Sequence, residues 1–448
     1  MRFTKITASV GPETESPKML RALMDSGANA FRLNFSHDSG DIQGARIKRI
    51  RQLKAPVAVI ADLQGPKLRI GDFAGGGATL KDGDNFTFDN NPKDGDNTRV
   101  YLPDKDVLAA LKDGDTILLN DGKQEFKVLK SGKSNVQAVV VRGGEIKSRR
   151  GFNLPDTEIN RPILTEKDKG DLEYAIARDV DYIAVSFVQK PEDISEVRDF
   201  ITERTGRPIK IIAKIERPQA LARIEDIIKN SDGIMVARGD LAVEIPYYKV
   251  PEISRRLIKL CRALNKPIIM ATQMLASMIE SAFPTRAEIS DVATAAYLRS
   301  DSVMTSEETT VGKHPALVIE TMAAILKNAD NDEICHHYDW IPANDGENAW
   351  SKSVVELARL NDAAAIVIFT HTGENARTIS SRRPDIPIVA VCQDEIVANQ
   401  LCLYRGVIPL ADKKLFREKD YDGAAACAGI NSGHAVIVDK DSITLGRI

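Results

Sequence analysis

Residues 209–240 read IKIIAKIERPQALARIEDIIKNSDGIMVARGD, and two short apolar runs stand out in them, IKIIAKI (209–215) and IMVA (234–237). Brief β-branched runs of this kind read as buried strands, and the amphipathic stretch between them reads as a helix. Each run ends in charge, the first at Lys214-Ile215-Glu216-Arg217 and the second at Arg238-Gly239-Asp240. An apolar strand that turns polar only at its C-terminal end is the pattern of a parallel barrel, where chemistry collects at that end.

The same unit recurs in both directions along the chain. Strands are expected at 4–10 (TKITASV), 30–35 (AFRLNF), 57–62 (VAVIAD), 181–187 (DYIAVSF), 267–271 (PIIMA) and 302–305 (SVMT), with helices between them such as 191–204 and 284–299. Together these make eight β-α units, the number that closes a barrel. Between the third and fourth strands the texture changes. Asp82-Gly83, Asp94-Gly95, Asp113-Gly114 and Asp121-Gly122 punctuate alternating runs such as TILLND, EFKVL and VQAVVVR. Dense turn dipeptides between period-2 runs predict a small all-β module. After a polar stretch, NADNDEICHHYDWIPANDGEN, comes a last α/β unit with strands AIVIFT, PIVAVC, VIPL and AVIVD. The expected architecture is α/β: a (β/α)8 TIM barrel (1–66 and 153–328), an inserted small β-barrel domain (67–152) and a C-terminal α/β domain (329–448).

Composition narrows the function. Of the 448 residues 43% are hydrophobic and 28% charged, as in ordinary globular proteins. A net charge of -3 supplies no basic field for nucleic acid or an anionic membrane. MRFTKITASVGPE has no signal-peptide pattern, and no apolar run is long enough to cross a bilayer. The five cysteines are scattered without metal spacing, as expected of reduced thiols in a cytoplasmic protein.

The candidate site is the set of strand ends. Strand two ends in Arg32-Leu33-Asn34-Phe35-Ser36-His37, strand three at Asp62, strand four at Ser186, strand seven at Thr272-Gln273 and strand eight at Ser306 with Glu308 following. One such residue is most simply a solvated strand end; the repetition across the set is not explained that way. Glu216 and Asp240 are two carboxylates on adjacent strand ends, and Mg2+ is commonly held by one or two carboxylates, with substrate oxygens and water completing its shell. Arg32, Lys214 and Arg238 are candidate cations for a phosphoryl group. An ion-pair network around a barrel mouth is the competing reading. Gly132-Lys133-Ser134 is half a Walker loop without its first glycine, Lys127 standing there instead, and reads as a turn. Cys335-His336-His337 are adjacent residues in a polar linker and rarely converge on one ion.

The segments TKITASVGP, FRLNFSH, ADLQGPKLR, FNLP, SFV, KIIAKIE, DGIMVARGDLAVEIP, IMATQMLASM and PTRAEISDVATA occur in an order that closely resembles the pyruvate kinases, over nearly the whole chain. The resemblance implies transfer of a phosphoryl group from phosphoenolpyruvate to ADP in glycolysis, with Mg2+ (or Mn2+) as cofactor, in a homotetramer. It implies that Glu216 and Asp240 hold the metal ion and that Lys214 and Arg32 stabilise the phosphoryl group. Gly239, Asp240 and Ser186 would receive the substrate, and Thr272 would lie where the enolate takes its proton. Asn34, His37, Arg69 and Arg150 would meet the nucleotide phosphates, with the β module acting as a lid that excludes water.

Departures from the family pattern carry expectations of their own. Where many members hold K+ with Asn, Ser, Asp and Thr, this chain has Asn34, Ser36, Asp62 and Leu63, and Lys67 replaces a glutamate. A fixed ammonium supplies the positive charge of a monovalent ion, so K+ is expected to be dispensable. Glu307 and Ala242 replace glycines. Thr370, Thr372 and Gly373 resemble an effector-phosphate loop, although Glu374 and Asn375 depart from it. Two other readings remain: a phosphoenolpyruvate- or pyruvate-handling lyase barrel, which would have no use for a nucleotide-facing lid, and a non-catalytic paralogue, whose mark would be the loss of Lys214, Glu216 or Asp240.

Overall fold

The computed structural model describes residues 1–159, 161–332, 349–439 and 442–448. Eight parallel strands close into a barrel: β1 (Lys5–Val10), β2 (Ala30–Asn34), β3 (Ala58–Asp62), β4 (Tyr182–Val185), β5 (Lys210–Ile215), β6 (Gly233–Ala237), β7 (Ile268–Ala271) and β8 (Ser302–Met304), with β8 pairing back to β1. Strand alternation sorts the side chains. On β5, Ile211, Ala213 and Ile215 pack outward in the core shared with the helices, while Ile212 faces the core that runs inside the barrel with Ala58, Ile60 and Met235. Lys214, two residues beyond Ile212, therefore shares its inward face, and Arg32 and Asp62 follow Ala30 and Ile60 in the same way. The helices between strands start on local signals. Thr165 and Thr285 form capping boxes with Asp168 and Glu288, and prolines open the helices at Pro17, Pro191 and Pro315.

The inserted module folds around its own core. A six-stranded sheet (Asn85–Asp89, Arg99–Tyr101, Thr116–Leu119, Gln124–Lys130, Asn135–Arg142, Phe152–Asn153) and a ribbon (Gly77–Leu80 with Gly144–Lys147) enclose Phe86, Phe88, Phe126 and Phe152, whose rings meet at centroid distances of 5.2–5.4 Å. Asn120 and Asp121 both take left-handed φ values, 53° and 56°, and with Gly122 they turn a hairpin whose tip reaches the barrel. A short helix, Lys105–Ala110, also belongs to this module and was not expected from sequence.

The C-terminal sheet has the order Val407–Ala411, Ile388–Cys392, Ala365–Thr370, His434–Asp439, Ser442–Arg447. Its first four strands are parallel and the last is antiparallel. That last strand escaped the sequence reading because it lies on the sheet edge with Ser442 to Leu445 exposed on both faces, so it carries no inside-outside alternation. The domain closes the base of the barrel, at the ends of the strands opposite the charged residues. Tyr182 donates to the Gln400 carbonyl at 2.7 Å and Lys5 to the Val407 carbonyl at 2.6 Å. Cys335-His336-His337 lie outside the described residues.

Candidate active site

The inward-facing ends of β2, β3 and β5 build one charged knot. Asp62 accepts from Arg32 Nε at 2.8 Å and Nη2 at 2.6 Å through one oxygen, while Lys214 Nζ lies 3.1 Å from the other. Lys214 also donates to Ser186 Oγ at 2.6 Å and stands 3.1 Å from Glu216 Oε1. Ser186 in turn donates to the Leu63 carbonyl at 2.7 Å. Each geometry follows from strand register, for Asn34 sits opposite Asp62 and Lys214 opposite Met235.

The electrostatics agree with the contacts. Burial alone would push the Asp62 carboxyl up, but Lys214 and Arg32 outweigh it and hold it below the ordinary carboxylate range. Burial would strip the proton from Lys214, yet Asp62 and Glu216 raise its pKa above the ordinary lysine value, so it is a fixed cation. Glu216 is raised by burial and, among its charged neighbours, by the like charge of Asp240, against the pull of Lys214. Glu216 is buried and Asp240 partly exposed beside it, and neighbouring carboxylates that repel are relieved by a shared cation. Both offer oxygen donors only, which suits a hard divalent ion such as Mg2+. Among the described residues no group of three or more His, Cys, Asp or Glu is placed to hold a metal. The protein would thus contribute two ligands and leave the rest of the shell to water and substrate.

Beside this knot opens a cavity of about 380 Å3 lined by Lys67, Asp121, Gly239, Asp240, Thr272 and Glu307, among others. Lys67 Nζ is 3.4 Å from Asp240 Oδ1. Thr272 is a β-branched residue at φ 68°, a conformation that costs energy and marks functional sites. Its hydroxyl donates to the Ala271 carbonyl at 2.7 Å and accepts from the Gly239 amide at 2.8 Å. The Gly239 amide expected to face the substrate is therefore engaged by Thr272.

Other expected residues fall into place unevenly. Asn34 accepts from the Ser36 amide at 3.1 Å, and the carbonyls of Asn34 and His37 both accept from Gln43, leaving the His37 side chain exposed. Arg69 and Arg150 are exposed at the root of the module, where Arg69 donates to the Arg149 carbonyl. Thr370, Thr372 and Gly373 lie in the C-terminal domain, away from the barrel mouth. There Gly373, at φ 77°, donates to Thr370 Oγ1 at 2.9 Å, and Glu374 donates to Thr372 Oγ1 at 3.3 Å.

Arg238 corrects the sequence reading. It turns from the phosphoryl position to donate to the carbonyls of Ala271 and Thr272 and to Asp291 at 2.7 Å, so it braces β7 and is not free for an anion. Lys214, expected at an open mouth, has only 12% of its side chain exposed. Asp62, expected as the polar end of strand three and as a monovalent-ion position, also joins Arg32 to Lys214. Asp121 of the module was read only as a turn residue, since nothing local told where its hairpin would land.

A closed parallel barrel whose mouth gathers fixed cations and a carboxylate pair beneath an inserted β module defines an enzyme class that works on small anions. The family model described as "Pyruvate kinase, barrel domain" matches residues 1–319, and "Pyruvate kinase, alpha/beta domain" matches residues 348–443. A pyruvate kinase of Methylorubrum extorquens is 40% identical over 99% of this chain and 94% of its own length. That of Thermotoga maritima is 38% identical over 94% of this chain and 91% of its own. A crystal structure of a pyruvate kinase from Cryptosporidium parvum superposes with a TM-score of 0.92 at 31% identity, covering 100% of this chain and 96% of that one. The chain belongs to the pyruvate kinase family, and with it to the phosphotransferases.

Proposed function

We propose that this chain transfers the phosphoryl group of phosphoenolpyruvate to ADP at the barrel mouth, giving pyruvate and ATP. The observation that carries the reading is Lys214, fixed as a cation among Asp62, Glu216 and Ser186 and electrostatically coupled to Asp240. A terminal oxygen of ADP attacks phosphorus as the bond to the enol oxygen breaks, and the enolate then takes a proton at carbon to become pyruvate. Lys214 and Arg32 face the charge that spreads over the phosphoryl oxygens, a role worth roughly 10^3–10^5 in rate for a positioned cation. When bound, Mg2+ (or Mn2+) on Glu216 and Asp240 supplies neutralisation of those same oxygens. Thr272, beside Gly239, is where the proton would be handed over, and Ser186 keeps Lys214 oriented. Asn34, His37, Arg69 and Arg150 are assigned to the nucleotide phosphates, beneath a lid formed by residues 67–152 over the barrel of 1–66 and 153–328.

Lys67 is assigned the charge of the monovalent cation because it replaces a glutamate beside Asn34, Ser36, Asp62 and Leu63 in the family pattern; its ammonium reaches Asp240 at 3.4 Å. The C-terminal domain, 329–448, would serve assembly as a homotetramer. Its loop of Thr370, Thr372 and Gly373 is a candidate effector-phosphate site, testable by calorimetric titration with sugar phosphates or AMP. No described helix is long and apolar enough to cross a membrane. A cytoplasmic glycolytic role, with no nucleic-acid or membrane partner, fits the substrates and the composition.

Initial rates of ATP formation with phosphoenolpyruvate, ADP and Mg2+, in buffers with and without K+, test the whole reading. Turnover independent of K+ is expected. No ATP formation would sink the reaction, and a tenfold or greater requirement for K+ would sink only the assignment of Lys67.

A further inference from the structure

Two side chains from the stalk of the β module clasp the helix Arg238–Glu244. The chain enters the module past Lys67, which reaches Asp240, and leaves it at Asn153, whose amide donates to Glu244 Oε1 at 2.8 Å. Asp240 and Glu244 are four residues apart and lie on one face of the helix, one turn from each other. The two stalk segments run side by side, since a Cβ on Gly151 would sit 3.6 Å from Lys67 Cε and 3.8 Å from Asn153 Oδ1. The tip of the module leans on the same helix, for a Cβ on Gly122 would lie 3.5 Å from Val243.

The second clasp is the buried one. Glu244 is 4% exposed and Asn153 8%, and Glu244 Oε2 has no hydrogen-bond partner. Near it lies Arg217, itself 4% exposed, whose Nε also lacks a partner and which follows Glu216 directly in the chain. Burial pushes the Glu244 carboxyl up and the Arg217 charge draws it down. Folded proteins leave buried groups unsatisfied mainly where function uses them.

We propose that Glu244 is a positioning residue: tied to Asn153 on the exit strand of the lid, it sets the helix that presents Asp240 and so makes divalent-ion affinity and lid position depend on each other. Such coupling is reciprocal, so an ion at Glu216 and Asp240 steadies the lid as much as a seated lid tightens the ion. The inference rests on the reading of Glu216 and Asp240 as the metal ligands.

The test uses the full chain and its Asn153→Ala, Glu244→Gln and Asp240→Asn variants. Mn2+ binding is titrated by electron paramagnetic resonance without substrate, and hydrogen exchange is followed at the stalk amides 67–71 and 150–154. Asn153→Ala is expected to weaken Mn2+ roughly tenfold, the scale of a lost hydrogen bond to a buried charge, and Glu244→Gln, which keeps the acceptor but loses the charge, by less. Mn2+ should slow stalk exchange in the parent protein and fail to do so in Asn153→Ala, and the double variant Asn153→Ala/Glu244→Gln should be no weaker than Asn153→Ala alone. Unchanged Mn2+ affinity in both variants overturns the proposal, including where the melting temperature falls, because that outcome describes a purely structural contact. Should Glu244→Gln not fold, Asn153→Ala decides by the same measurements. Unaltered Mn2+ binding in Asp240→Asn would instead remove the ligand assignment itself.

Discussion

The two ends of the barrel contain the same kinds of charged residue in opposite conditions. At the base the two carboxylates that join barrel to C-terminal domain, Asp330 and Asp301, have both oxygens used. Asp330 accepts from the amides of Phe3 and Thr4, from Thr4 Oγ1 and from Arg405, and Asp301 accepts from Arg383, from the Arg405 amide and from the Ile268 amide. At the mouth, Asp240 has one long contact to Lys67 at 3.4 Å, and Glu216 is raised by its neighbour's like charge. These two carboxylates are saturated by the chain itself, which makes them a weld between barrel and C-terminal domain. The mouth is left unsaturated, which is what a site needs if substrate and ion are to complete it.

The sharpest way to break this contrast is to remove one charge from each end. Lys214→Met should lower kcat/KM by about 10^3 or more, because the charge that meets the phosphoryl group is gone. Asp62 keeps Arg32, but Glu216, 1% exposed, loses the cation 3.1 Å away, so the denaturation midpoint should fall without metal and be restored in part by Mn2+, which should still bind. Loss of fold together with loss of activity would show that Lys214 belongs with the welded charges. Asp301→Asn should do the reverse. It strands Arg383, which pairs with Asp301 at 2.5 Å with side chains 2% and 1% exposed. Breaking a buried pair from one side costs about 3–5 kcal/mol. Chemical denaturation should show that loss while KM values of the folded fraction stay put, and a selective loss of rate at unchanged stability would contradict the division.

The mouth was more legible in the sequence than the base, for a physical reason. Barrel strands alternate, so a polar residue ending an apolar run, as Lys214 and Asp62 do, announces an inward-facing end from local pattern alone. The base partners are separated by long stretches of chain, as Thr4 is from Arg405 and Asp301 from Arg383, and nothing local links them. Arg238 shows the limit at the mouth itself: its place beside Asp240 was readable, but its direction depends on Asp291 and the β7 carbonyls, which only the closed barrel brings near. Asp121 and Glu244 escaped for the same reason, since each acts across the seam between module and barrel.

The smallest effect concerns Lys5, a buried base cation that donates to the Val407 carbonyl at 2.6 Å. Burial, helped by the neighbouring charge of Arg2, lowers its pKa from 10.5 to about 8. The unfolded chain therefore keeps this proton between about pH 8 and 10.5 while the folded chain has released it, so stability rises with pH across that window. Below pH 8 both states are protonated and the fold carries the full cost of a buried ammonium, about 3 kcal/mol at 1.36 kcal/mol per unit. Lys5→Met removes that cost but orphans the Val407 carbonyl, a loss of about 1–3 kcal/mol that does not vary with pH. The difference between the two proteins must then change with pH in one direction only. Denaturant midpoints taken from pH 7 to pH 10.5 should shift in favour of the parent protein by up to about 3 kcal/mol relative to Lys5→Met. Parallel curves would mean that Lys5 stays charged in the folded state and that the base tolerates an ammonium as readily as the mouth does.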